Sequence, residues 1–105
     1  MANIFDKFRL DGQVALVTGG AGLLGKEFCR TLAQAGAGVV VADLNESAAA
    51  EAAQPLQVDG AKIMPVGVDV TNPDSVNDMI EQTLKKFGRL DVLVANAGVG
   101  HRGSL

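Results

Sequence analysis

The sequence has very little of the residue types that build disulfides, metal sites and aromatic surfaces. Its 105 residues include one cysteine, one histidine and neither tryptophan nor tyrosine. The lone Cys29 cannot form an internal disulfide, and no second cysteine or group of histidines is present to hold a metal ion. These absences exclude a disulfide-stabilised secreted domain and a zinc-binding domain, and we expect a protein of the reducing cytoplasm.

Positive charge is also scarce. The chain carries 9 Lys and Arg against 12 Asp and Glu, a net charge of −3, and its basic residues are scattered. Nucleic acids and anionic membranes are recognised by clusters of basic residues, so we expect neither as a partner. Residues 1–10 alternate polar and apolar side chains and include Asp6, a pattern that fits neither a signal peptide nor a membrane span.

Apolar residues make up 48% of the chain, and they fall into short segments of two kinds. Four mostly apolar segments are typical of strands buried in a sheet: residues 14–17, 39–42, 62–70 and 92–95. Three segments between them favour helices through apolar spacing or alanine content: residues 24–35, 46–53 and 73–87.

The third helix has the clearest end signals. Asn72 is suited to cap its first turn, Pro73 to occupy its first position and Gly88 to end it in a left-handed conformation. The residues predicted to line one face of this helix are Val76, Ile80 and Leu84.

The alternation of strands and helices predicts an α/β fold with a parallel sheet and right-handed crossovers. Pro65 lacks an amide and is tolerated best in an edge strand, which places the third strand outermost. We therefore predict one domain with strand order 3-2-1-4 and helices on both faces. This is the N-terminal half of a Rossmann-type, doubly wound fold.

A glycine-rich turn, residues 18–25, joins the first strand to the first helix. After Thr18, Gly19, Gly22 and Gly25 recur at every third position. Free amides and the helix dipole at such a place attract a pyrophosphate, while the glycines permit a tight turn, close approach of phosphate and close helix packing. The alternative is a tight connection that binds no ligand.

Asp43 ends the second strand, 18 residues after Gly25. A carboxylate near this position accepts hydrogen bonds from the adenosine ribose hydroxyls, and it would repel a 2′-phosphate, which favours NAD over NADP. The alternative role is a helix cap for the segment that follows, and the two roles can coexist.

A second motif overlaps the glycine turn. Gly20, Gly25 and Lys26 match the start of a nucleoside-triphosphate phosphate loop, but Glu27 stands where Ser or Thr would hold magnesium. A carboxylate beside a triphosphate is repulsive, so we disfavour this interpretation.

Two further segments follow the third and fourth strands, Asp69-Val70-Thr71 and Asn96-Ala97-Gly98. Together with the glycine turn and Asp43, and in this order, they resemble the N-terminal part of the short-chain dehydrogenase/reductase family. Leu23 departs from the glycine usual in the compact branch of that family, whereas residues 93–98 resemble that branch, so the subfamily is left open.

The resemblance implies a site for a dinucleotide cofactor. The residues around the pyrophosphate would be Thr18, Gly19, Gly22, Leu23, Leu24 and Gly25. Asp43 would bind the adenosine ribose, and Asp69 and Val70 would flank the adenine. The segment that closes over the adenosine side and steadies the central strands would be Asn96, Ala97 and Gly98. The alternatives are a strand-end turn at Asp69 and a glycine turn at residues 96–98.

By the same resemblance, the family's catalytic residues are a serine after a later strand and a Tyr-x-x-x-Lys pair on a later helix. The sequence contains no tyrosine, Ser104 follows Gly98 too closely to be that serine, and His101 is a lone histidine in a glycine-rich segment. We therefore predict the cofactor-binding part of an NAD-dependent alcohol dehydrogenase or carbonyl reductase, truncated before its catalytic segment.

Two other functions remain open: a non-catalytic nucleotide-binding module and one chain of a split enzyme. Truncation would also leave the strand at residues 92–95 without its outer neighbour, and this apolar edge predicts self-association. The family resemblance implies a parent protein that forms homodimers or homotetramers.

Overall fold

The computed structural model describes residues 9–58 and 60–96. The four strands of its parallel sheet are β1 (Val14–Thr18), β2 (Gly38–Asp43), β3 (Ile63–Gly67) and β4 (Val92–Ala95). The three α-helices are α1 (Leu23–Gln34), α2 (Glu46–Ala53) and α3 (Pro73–Phe87), and a short 3₁₀ turn (Gln54–Leu56) follows α2. The strand order is β3-β2-β1-β4, which confirms the predicted order and fold class.

The two central strands are apolar throughout because helices cover both faces of the sheet. All five residues of β1 are buried. Leu16 lies in register with Val40 of β2 on one side and with Leu93 of β4 on the other. The backbone hydrogen bonds of β1 are therefore shared with a strand on each side.

Successive side chains of a strand point to opposite faces, so the residues of β1 and β2 contribute to two separate cores. One core joins the sheet to α1 and α2: Ala15, Val17, Cys29, Val39, Val41, Ala49 and Ala53 are among its buried members. The other joins it to α3: Val14, Leu16, Val40, Ala42, Val66, Val68 and Met79. Helices therefore pack on both faces, as predicted.

Cys29 of α1 belongs to the first core and is 1% exposed. Burial raises the pKa of its thiol to about 11, so the thiol is protonated at neutral pH. Cys29 therefore serves the packing of the core.

The third strand is outermost, as Pro65 predicts, but it is shorter than the predicted range of 62–70. The Val68 amide still donates to the Asp43 carbonyl at 2.9 Å. The next amide, that of Asp69, donates instead to Ser75 Oγ at 2.9 Å. The Asp69 amide faces away from β2, and its hydrogen bond to Ser75 directs the chain from the sheet toward α3.

Helix α3 begins and ends where predicted. The Asn72 side chain accepts from the amides of Asp74 and Ser75, Pro73 takes the first position, and Gly88 ends the helix with φ of 81°. Asn72 and Gly88 therefore satisfy backbone groups that the helix ends leave without intrahelical partners.

The buried face of α3 differs from the predicted one, of which Val76 and Ile80 are only partly buried against the second core. Met79 and Thr83 are buried, whereas Leu84 is 46% exposed. The Thr83 hydroxyl donates to the Met79 carbonyl at 2.9 Å, so threonine can be buried here without an unsatisfied group. Leu84 follows Thr83 by about 100° around the helix and therefore turns away from the sheet.

Among residues 9–58 and 60–96, none of the helices combines the length and the apolarity required to cross a bilayer.

Candidate functional site

The predicted site residues within the described ranges lie around the carboxyl ends of the strands, where the loops of a parallel sheet form a crevice. Helix α1 begins there, directly after the glycine turn. Its N-cap, Gly22, makes no side-chain hydrogen bond, and its first turn contains no acidic residue. The first amides of an α-helix have no intrahelical partner, and they lie at the positive end of its dipole. This helix end is therefore suited to bind an anion.

The structure explains the glycines of the turn in different ways, and it explains two of the three. Gly19 has φ of 68°, which glycine adopts with the least strain. A Cβ on Gly25 would lie 2.0 Å from the Gly19 carbonyl oxygen, so α1 packs directly against the turn. A Cβ on Gly22 would meet only the Gly19 oxygen, at an ordinary 3.5 Å. Packing therefore requires glycine at 25 but does not explain it at 22.

A fourth glycine, Gly20, also has a packing role that the sequence analysis did not assign. A Cβ there would lie 2.8 Å from Val41 Cγ1, and the Gly20 amide donates to the Ala42 carbonyl at 2.8 Å. The turn therefore lies against the end of β2. The sequence signal for this role was the second glycine of the pair 19–20, since the spacing of glycines at every third position requires only Gly19.

Asp43, at the end of β2, binds the glycine turn through its side chain. Its Oδ2 accepts from the Ala21 amide at 3.1 Å and its Oδ1 from the Asn45 amide at 3.1 Å. The cap of α2 is Asn45, whose side chain accepts from the Ala48 amide. The alternative interpretation of Asp43 as the cap of the following helix is therefore wrong. None of the ion pairs within the described residues involves Asp43.

Asp69 lies in the loop between β3 and α3, where it organises a turn. Its Oδ1 accepts from the Thr71 hydroxyl at 2.6 Å and from the Thr71 amide at 3.0 Å. These two hydrogen bonds hold the pKa of the Asp69 carboxyl below its usual value, so this side chain is ionised at neutral pH. The neighbouring Val70 is 47% exposed. The strand-end turn that was the alternative for Asp69 is present, and it leaves Val70 at the surface.

Thr18 and Asn96 fasten the glycine turn to the end of β4. The Asn96 amide donates to Thr18 Oγ1 at 3.0 Å, and Asn96 Nδ2 donates to the Gly19 carbonyl at 3.3 Å. The Thr18 hydroxyl in turn lies 3.4 Å from the Val94 carbonyl, to which it donates. Thr18 is buried, and it stabilises the turn through these hydrogen bonds. The other predictions in the last part of the chain lie outside the described residues: Ala97, Gly98, His101 and Ser104.

Three exposed leucines surround these polar groups. Leu23 and Leu24 project from the first turn of α1, at 89% and 50% exposure. Leu44, directly after Asp43, is 76% exposed, and the sequence analysis did not single it out. The sequence signal for Leu44 was its position as one apolar residue between Asp43, which ends the strand, and Asn45, which caps the helix. The three side chains supply apolar surface suited to the flat rings of a ligand.

Comparison with known proteins identifies this arrangement. The family model for short chain dehydrogenases matches residues 13–105. The chain is 43% identical over 90 residues to 3beta-hydroxysteroid dehydrogenase 2 of Eggerthella lenta, covering 86% of this chain and 35% of that protein.

Solved structures agree with the sequence comparison. A 7 alpha-hydroxysteroid dehydrogenase complexed with NADH and 7-oxo glycochenodeoxycholic acid matches with a TM-score of 0.81 and 35% identity, covering 89% of this chain and 36% of that chain. A short chain dehydrogenase/reductase from Burkholderia phymatum in complex with NAD matches with a TM-score of 0.76 and 34% identity, over 82% of this chain and 31% of that chain.

The chain thus spans about a third of the length of these relatives. Within that span, the family match begins just before β1 and takes in the glycine turn, Asp43 and Asp69. The triphosphate-loop interpretation of Gly20 to Lys26 is therefore set aside. The chain belongs to the short-chain dehydrogenase family.

Proposed function

We propose that this chain binds NAD at the carboxyl ends of its strands and forms the cofactor-holding part of a short-chain dehydrogenase/reductase. In the whole protein, NAD would exchange a hydride with the carbon of an alcohol or carbonyl group. The observation that carries this proposal is the open N-terminus of α1. Its cap, Gly22, has neither a capping side chain nor a packing reason to be glycine.

The pyrophosphate would lie against this helix end. The first amides of α1 donate toward it, and the helix dipole favours its negative charge. A side chain at Gly22 would fill space beside these amides. The missing side chain is therefore explained by a ligand that approaches the backbone closely.

The adenosine ribose would bind to Asp43. Each of its carboxylate oxygens accepts one amide hydrogen bond and keeps a lone pair for a ribose hydroxyl. A 2′-phosphate in place of the hydroxyl would face the negative charge of Asp43 directly. This is why we propose NAD rather than NADP as the cofactor.

The adenine would lie near the loop between β3 and α3. The Thr71 hydrogen bonds engage only Oδ1 of Asp69, so Oδ2 can accept from an exocyclic amino group. Val70 and Leu44 offer exposed apolar surface for the ring. Asn96 would close the adenosine side together with Ala97 and Gly98.

Two relatives support the choice of cofactor, since their structures contain NADH and NAD. The proton exchanged with the substrate oxygen needs a partner, which in this family is the tyrosine of the Tyr-x-x-x-Lys pair. The 105 residues contain no tyrosine. In this proposal the proton-transfer residues therefore belong to the protein outside these residues.

Calorimetric titration of the chain with NAD and with NADP tests the proposal. We expect saturable NAD binding and NADP binding that is weaker by roughly tenfold or more, equivalent to about 1.4 kcal/mol. Gly22→Ala adds one methyl group where packing has room for it. It should weaken the binding of both dinucleotides by roughly tenfold and leave the thermal unfolding midpoint nearly unchanged.

The matched control is Ala50→Val, which adds bulk at an exposed position of α2 and should leave binding unchanged. Equal NAD affinity of the Gly22→Ala variant and the wild type would contradict the proposed pyrophosphate position. A folded wild-type chain that binds neither dinucleotide would contradict NAD binding by these residues.

We also propose that the chain self-associates through β4, and that the whole protein is a homodimer or homotetramer. Within the described residues, β4 pairs only with β1, and its Leu93 is 59% exposed. Charged residues on edge strands disfavour edge pairing, so Leu93→Lys should shift the chain toward monomer in sedimentation velocity. A wild-type chain that stays monomeric at high concentration would contradict this.

A further inference from the structure

The glycine turn is attached to the end of β2 by two consecutive amides. The Gly20 amide donates to the Ala42 carbonyl at 2.8 Å, and the Ala21 amide donates to Oδ2 of Asp43 at 3.1 Å. The first contact is available to any residue at position 42, because it uses the backbone. The second depends on the side chain at position 43.

Asp43 also joins the loops on either side of it. Its Oδ1 accepts from the Asn45 amide, and its carbonyl accepts from the Val68 amide at 2.9 Å. One residue thus contacts the glycine turn, the loop before α2 and the loop after β3. The carboxylate is held by two amides, and its half-buried position limits competition from water.

We propose that Asp43 is a positioning residue for the phosphate-binding turn, in addition to its contact with the ribose. By holding the Ala21 amide, its carboxylate keeps the turn in the conformation that presents the first amides of α1 to the pyrophosphate. This inference rests on the proposed function, because it concerns how the same site binds the diphosphate part of NAD.

The two roles of Asp43 predict effects of opposite sign on a ligand without ribose hydroxyls. If Asp43 served only the ribose, its removal would eliminate a negative charge near an anion and release the Ala21 amide as an extra donor. Both changes would strengthen binding. If Asp43 positions the turn, its removal weakens the binding of the same ligand.

The test uses an NAD analogue whose adenosine ribose is 2′,3′-dideoxy, titrated into the wild type, Asp43→Asn and Asp43→Ala. The Asn variant loses the charge and keeps one acceptor oxygen, which can serve the Ala21 amide while the hydrogen bond from the Asn45 amide is lost. It should therefore bind the analogue as tightly as the wild type or more tightly. The Ala variant should bind it roughly tenfold more weakly, as expected for the loss of one hydrogen bond to a charged group. Binding by Asp43→Ala as tight as that of the wild type, or tighter, would overturn the proposal.

Amide hydrogen exchange in the absence of ligand provides a second measurement. The Ala21 amide should be protected in the wild type and in Asp43→Asn, and it should exchange at least roughly tenfold faster in Asp43→Ala. The Leu16 amide, in the buried strand β1, reports whether each variant is folded. An unprotected Ala21 amide in the wild type would also overturn the proposal. Failure of the wild type to bind NAD would instead count against the proposed function, because the exchange experiment needs no ligand.

Discussion

The two ends of the parallel sheet are held together in different ways. At the carboxyl end, hydrogen bonds link separate loops through groups that are partly buried, as between Asn96 and Thr18 or Ala21 and Asp43. At the amino end, ion pairs also join residues two positions apart, as between Arg89 and Asp91 at 2.7 Å, beside a long-range hydrogen bond from the Val14 amide to Asp91 Oδ2 at 2.8 Å. Such surface pairs contribute little because water and salt screen them. The contrast teaches that ion pairs add to the contacts of the amino end, whereas hydrogen bonds between loops hold the residues that are proposed to bind the ligand.

Open space alone does not distinguish the two ends. A cleft of about 740 Å³ lies at the amino end, where its lining includes Lys62, Lys86 and Phe87. The C-terminal ends of α1 and α3 point to this end, and their carbonyl groups disfavour an anion. We therefore propose the cofactor site at the carboxyl end, where the N-terminus of α1 favours an anion.

Among the variants that test this contrast, we expect the largest loss of stability from a substitution of Gly25. In Gly25→Ala, the added Cβ would lie 2.0 Å from the Gly19 carbonyl oxygen. We expect a loss of about 3 kcal/mol in the free energy of unfolding, at the upper end for overpacking, measured by urea denaturation. Gly22→Ala is the matched control in the same turn and should change stability by less than about 1 kcal/mol. If both variants were equally stable, the carboxyl end would not be the tightly packed region described above.

A smaller effect is expected at the amino end, from Asp91. Hydrogen bonds from Arg89, and then from the Val14 amide, hold the pKa of this carboxyl below its ordinary value of 3.8. Because the pKa is lower in the folded state, its stabilising effect is present above pH 3.8 and is lost as the pH falls through the folded pKa. Asp91→Asn should therefore be slightly less stable than the wild type at pH 7, and the difference should disappear in acid.

Urea denaturation at pH 7 and below pH 3 measures this difference. About 1 M salt should reduce the contribution of Arg89 to it, since this pair lies at the surface. A large, salt-independent loss of stability at pH 7 would show that the amino end depends on its polar contacts as strongly as the carboxyl end.

The fold was predictable because each local signal agrees with the others. Apolar runs identify the four strands, Pro65 identifies the outer one, and Asn72 and Gly88 mark the ends of α3. The errors occurred where tertiary contacts decide the outcome. After β3 the chain turns toward α3, where Ser75 accepts from the Asp69 amide, and the direction of Leu84 depends on how α3 rotates against the sheet.

The sequence predicts which candidate site residues lie at the carboxyl ends of the strands, but not the contacts among them. The glycine spacing and Asp43 are visible in the sequence because they lie at strand ends. The hydrogen bond between Asp43 and the Ala21 amide joins residues 22 positions apart, and no spacing rule predicts it. Leu44 was missed because one exposed leucine in a loop is ordinary on any protein surface.

The proline of β3 removes a hydrogen-bond donor from one edge of the sheet. The Val68 amide points to β2, and alternate residues of a strand share that direction, so position 65 faces away from β2. Proline places no donor there, and a further strand could not complete its hydrogen bonds along β3. Within the described residues, a further strand, from this chain or a second copy, can therefore form an uninterrupted set of backbone hydrogen bonds beside β4 but not beside β3.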